Sequence, residues 1–148
     1  MDGEKRKLMT IQVVLASACA NDRENLDGLL AGTPWALIGA TSLNEAMQAL
    51  HQVTAPIVLC DQELDERPWQ QTLRMLTRAR RRTCAIVLSN GGGPKLCSEV
   101  ARLGGFDLLA RPFERDQVYA TLMCAYAQYR VGWPVLSRRQ PVSMGSAS

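Results

Sequence analysis

The feature that most constrains this chain is an alternation. Short apolar runs recur along it, and each is followed by a segment whose apolar residues fall at helical spacing. Residues 11–16, 35–40, 57–60, 85–88 and 106–110 read as strands. Runs as continuous as Ile57-Val58-Leu59-Cys60 fit strands covered on both faces. Between them, residues 21–31 carry Leu26, Leu29 and Leu30 on one helical face. Leu43, Ala46, Met47 and Leu50 form a second stripe, with Ser42 as cap and Glu45 completing a capping box. Pro68 opens a third helix, with Leu73 and Leu76 inward and Arg74, Arg78 and Arg81 outward. Pro94 opens a fourth, which Gly104-Gly105 ends. A fifth runs from 114 to about 130, with Val118, Leu122, Ala125 and Tyr129 at helical spacing. Five strands alternating with five helices over short connections predict an α/β fold, a doubly wound five-stranded parallel sheet.

A chain of 148 residues suffices for one domain with a real core. The predicted domain spans 8–130, and 131–148, with two prolines and a Ser-Met-Gly-Ser-Ala-Ser end, reads as a flexible tail. The net charge of +3 is too weak to indicate a nucleic-acid partner. The basic run 78–82 lacks interleaved aromatics and reads as cations at a helix C-terminus. Cys19, Cys60, Cys84, Cys97 and Cys124 are scattered without a CxxC pair, and His51 is the one histidine. Reduced thiols in a cytoplasmic protein follow, with no zinc site, and Cys19 and Cys60 read as small buried hydrophobes. The first twenty residues imitate a secretory leader, but Thr10 and Gln12 interrupt the apolar stretch, which serves better as a core strand. No segment approaches the ~20 apolar residues of a membrane span.

In open parallel sheets, ligands bind beyond the carboxyl ends of the strands, near the switch in strand order. That rule brings together Ser17-Ala18, Asp61, Ser89 and Arg111, each following a predicted strand. An acid, a hydroxyl and a guanidinium would meet at one edge. The loop from Ser89 to Lys95 lacks the GxxxxGK[ST] spacing of a phosphate loop, and Pro94 removes an amide donor.

Residues 8–130 resemble the receiver domain of bacterial two-component response regulators. Leu103-Gly104-Gly105-Phe106-Asp107-Leu108-Leu109-Ala110-Arg111-Pro112-Phe113 is similar to that family's LGAxDYLxKPF segment, and 57–61 to its DLVLLD strand. Ile86-Val87-Leu88-Ser89 matches a strand ending in a switch Ser/Thr. The resemblance implies a flavodoxin-like sheet of order 2-1-3-4-5 and a protein that is a phosphorelay component and not an enzyme. It implies Asp61 as phosphoacceptor, Ser89 as partner of the phosphoryl group and Arg111 in the place of a lysine. The Glu63 backbone carbonyl would join Asp61 in holding Mg²⁺, and the bond before Pro112 would be cis. The implied partners are a histidine kinase or phosphotransfer protein, an effector protein and a second copy of the chain. Tyr119, Tyr126 and Tyr129 are available on the last helix for that pairing.

The chain departs from the pattern in four places, one of them Asp65, where the family commonly has proline, with Trp69 where glycine is common. Ser17 and Ala18 stand where the family has its acidic, metal-binding pair, which leaves a weak ligand set for a hard cation. Arginine at 111 is a wide planar fork, able to pair with Asp61 without metal. Leu108 replaces the aromatic residue that follows the switch hydroxyl. The alternative reading is therefore a pseudo-receiver, a phosphorylation-independent protein-interaction module. Its surface would include Lys95, Glu99, Arg102, Leu108, Gln117 and Val118. A flavodoxin-like enzyme or cofactor binder is a third reading, which the 111–113 segment disfavours.

Overall fold

The computed structural model describes residues 10–80 and 82–132. The tail predicted at 131–148 lies outside them from 133 onward, as do residues 1–9 and Arg81. Five strands and five helices alternate: β1 (Ile11–Ala16), α1 (Ala20–Leu30), β2 (Trp35–Ala40), α2 (Leu43–Gln52), β3 (Ile57–Asp61), α3 (Trp69–Ala79), β4 (Cys84–Ser89), α4 (Pro94–Arg102), β5 (Asp107–Ala110) and α5 (Arg115–Val131). All pairings are parallel and the order is β2-β1-β3-β4-β5. The alternation read from the sequence is thus the observed architecture, with element ends moved by one or two residues.

Successive side chains on a strand point to opposite faces, so each strand feeds two cores. Val14, Ala16, Val58, Cys60, Ala85, Val87 and Leu108 pack under α2, α3 and α4. Val13, Leu15, Ile57, Leu59, Ile86, Leu88 and Leu109 pack under α1 and α5. Chain direction across the sheet reverses between β1 and β3, the place where such folds open a cleft at the carboxyl edge.

The Ser42 cap forms as predicted, its Oγ accepting from the Glu45 N–H at 3.1 Å. The Glu45 carboxylate reaches one residue further than a capping box requires, to the N–H and hydroxyl of Thr41. Those two bonds hold its carboxyl below the usual range. A Cβ at Gly92 would lie 2.8 Å from Leu108 Cδ2, so the leucine end would have to shift to admit one.

Burial revises the proposed interaction surface. Val118 is fully buried and Leu108 nearly so, hence neither can meet a partner, whereas Lys95, Arg102 and Gln117 are exposed. The three tyrosines are also used within the domain. Tyr119 donates to the Leu29 carbonyl at 2.8 Å, and Tyr126 packs edge-on to Trp35 while stacking with Tyr129. Among the described residues, no helix is long and apolar enough to cross a membrane.

Candidate functional site

Asp61 closes β3, paired with Leu88 of β4, so its side chain leaves the sheet at the carboxyl edge. Arg111 follows the last residue of β5 and is fixed by its N–H donating to the Ser89 carbonyl at 2.8 Å. Its peptide bond to Pro112 is cis. From there the guanidinium reaches across the strand ends, and Nη2 donates to Asp61 Oδ1 at 2.9 Å. The acid and the guanidinium inferred from strand ends therefore meet.

The second partner of Arg111 is Asp22, which the strand-end rule did not name. Nε donates to Asp22 Oδ1 at 2.9 Å and Nη2 to Oδ2 at 2.7 Å, a bidentate pair. Nη1 donates to Asn90 Oδ1 at 3.1 Å, so every guanidinium nitrogen has an acceptor. The planar group also lies 5.7 Å from the Phe113 ring centre. Asp22 sits in the first turn of α1 and is 2% exposed. Helical side chains lean toward the N-terminus, which aims this one back at the sheet edge. Burial pushes the Asp22 carboxyl up, but hydrogen bonds from Arg111 and Ser17, with the Arg111 charge, bring it below its ordinary value. The same bonds, that to Asp22 foremost, raise Arg111 further, so it stays charged.

Ser17 is buried and donates to Asp22 Oδ2 at 2.6 Å, while its Oγ accepts from the Cys19 N–H. The expectation that the cleft lacks both acids of the pair at Ser17 and Ala18 is therefore corrected in part. Asp22 supplies one acid from the helix, Ser17 orients it, and Ala18 is exposed. Ser89 also differs from expectation. It ends β4 on the same edge, but its hydroxyl donates to the Gly91 carbonyl and is absent from the cleft wall.

The cleft has a volume of about 460 Å³ and is lined by Asp22, Asp61, Glu63, Asn90, Arg111 and Phe113, among others. A larger hollow, about 830 Å³, opens between Ser42–Asn44 and the loop after β3, where Glu63, Glu66 and Arg67 are exposed. The chemistry lies in the smaller one. Cys19 lines that cleft and is exposed, contrary to the buried role predicted for it. Cys60 is buried as expected; burial, with the Asp61 and Asp65 carboxylates adding, pushes its thiol up to about 12. It is no nucleophile at neutral pH. Trp69 packs against the core and does not line the cleft.

Among the described residues, no group of three or more His, Cys, Asp and Glu comes together as a metal site. The donor set explains why Mg²⁺ does not fit. That ion demands near-octahedral oxygen coordination. Here both carboxylates are engaged by one guanidinium, and the Ser17 hydroxyl is spent on Asp22. A dication would have to displace the guanidinium to reach the bonded carboxylate oxygens, because they are already turned to Arg111 or Ser17.

Several solved structures share this architecture. The signal receiver domain of an HD domain-containing protein from Pseudomonas fluorescens Pf-5 superposes with a TM-score of 0.74 at 18% identity, covering 83% of this chain and 91% of that one. The chain has the response-regulator receiver fold. A two-component response regulator from Clostridium difficile gives 0.71 at 12% identity, covering 80% of this chain and 97% of its own. The chemotaxis response regulator CheY4 of Vibrio cholerae gives 0.69 at 14%, covering 78% and 98%. No protein-family model and no curated protein sequence matches the chain. Identities this low show a likeness of fold.

Proposed function

We propose that this chain is a receiver module of two-component phosphorelay signalling, cytoplasmic, with Asp61 as its phosphoacceptor. The supporting observation is the Asp61 carboxylate at the end of β3, on the cleft floor, with the Arg111 guanidinium 2.9 Å away. One Asp61 oxygen would attack the phosphorus of a phosphohistidine. The P–N bond breaks as the new P–O bond forms, and the histidine nitrogen leaves with the electron pair and takes a proton. Arg111 offsets the negative charge of the incoming group. The module accepts a phosphoryl group and is not itself an enzyme with turnover. Its partners on this reading are a histidine kinase or phosphotransfer protein and an effector protein. A solved neighbour is the beryllofluoride-activated NtrC4 receiver domain dimer, which supports pairing with a second copy.

The same ion pair favours a second reading. A guanidinium bonded to Asp61 competes for the oxygen that must attack, and Ser89 is turned to its own loop. On that reading the domain binds its effector without phosphate.

Incubation with acetyl phosphate followed by intact-mass measurement separates the two. A gain of one phosphoryl group that Asp61→Asn abolishes is the outcome expected of a phosphoacceptor. An unchanged mass at saturating donor rules that role out and leaves the interaction module.

A further inference from the structure

We infer that the Arg111 guanidinium is the resident cation of this cleft, and that by bridging Asp22 and Asp61 it closes the cleft to divalent metal. One nitrogen, Nη2, lies 2.7 Å from Asp22 Oδ2 and 2.9 Å from Asp61 Oδ1. That point between two carboxylates is where an external cation would have to sit. Nε completes the bidentate pair with Asp22, Asn90 holds Nη1, and Phe113 lies beside the plane. The group is thus fixed by five separate partners or contacts and is tethered to β5, so it is present at every site without being drawn from solution. Ser17 strengthens the arrangement by holding the Asp22 carboxylate in the orientation the fork requires.

The corollary concerns the cleft once the guanidinium is gone. Asp22 and Asp61 would then face one point with no positive charge between them, and their mutual repulsion would favour any small oxygen-seeking cation. A single side chain accordingly stands between a metal-free cleft and a metal-binding one. This inference concerns the cation alone and is independent of whether Asp61 accepts a phosphoryl group.

The probe is Mn²⁺, titrated into the full chain and followed by electron paramagnetic resonance of the free ion. The wild type is expected to show no saturable uptake at millimolar Mn²⁺. Arg111→Ala is expected to gain a site at least roughly tenfold tighter, and adding Asp61→Asn should abolish it. Arg111→Lys, whose point charge cannot bridge both acids as a fork, should bind with intermediate affinity. It serves as the deciding variant if circular dichroism shows that Arg111→Ala has not folded. Saturable wild-type uptake that Asp61→Asn removes would overturn the inference by itself. So would folded Arg111 variants that bind Mn²⁺ no better than the wild type.

Discussion

The two edges of the sheet handle arginine in opposite ways. At the amino edge, where helices end, Arg80 donates to the Leu50 carbonyl at the end of α2 and Arg82 to the Tyr129 carbonyl at the end of α5. Arg82 also lies over the Tyr129 ring, and Arg130 over Tyr126. These cations sit at the negative ends of helix dipoles and satisfy orphaned carbonyls. At the carboxyl edge the helices begin, the dipole ends are positive, and acids such as Asp22 and Glu45 belong there. Arg23, Lys95 and Arg115 also lie in first helical turns but are exposed to water, whereas Arg111 goes against this field while half-buried. It is held there by two buried carboxylates, with Asn90 and Phe113 beside them. Charges that follow the dipoles are explained by folding alone. A charge that opposes them needs a different reason, and here that reason is the cleft.

Removing Arg111 should break the comparison most sharply. Arg111→Ala leaves Asp22 buried without its partner, and an expected loss of about 3 kcal/mol can be read from urea unfolding. A loss no larger than that of Arg82→Ala would mean that the two edges are energetically alike. Acid titration gives the next effect. Asp22 binds its proton less readily folded than unfolded, so its stabilisation is complete above the ordinary value of 3.8 and is lost as pH falls through the lowered folded value. Asp22→Asn should cost about 1–2 kcal/mol at neutral pH and flatten the fall in melting temperature below about pH 4. An unchanged acid slope would show that another carboxylate dominates. The smallest effect is expected at the amino edge, where Arg82→Ala should cost about 1 kcal/mol by the same unfolding measurement.

The fold was legible because its signal is repeated. Five apolar runs and the intervening stripes each point to the same layered sheet, and an error of a residue at one end changes nothing in the topology. Asp61 and Arg111 were legible for a related reason, since each directly follows an apolar strand. Asp22 was not, because it lies six residues beyond β1, inside a segment that reads as helix. Its signal was available: an acid in the first turn of the helix after a strand that ends without one. What no pattern could show was the direction of a hydroxyl. Ser89 and Ser17 both sit at strand ends, yet one turns to its own loop and the other to a helix. In the basic run, Arg80 and Arg82 serve the carbonyl ends of α2 and α5 and not the helix they follow, which sequence spacing could not show.

The Arg111 clamp also spans great distances along the chain, joining residues 89 and 50 positions apart. It ties the opening helix of the domain to its closing strand, with the central strand caught between them. Fraying at one extremity therefore unfastens the other, and hydrogen exchange at α1 and β5 should rise and fall in step.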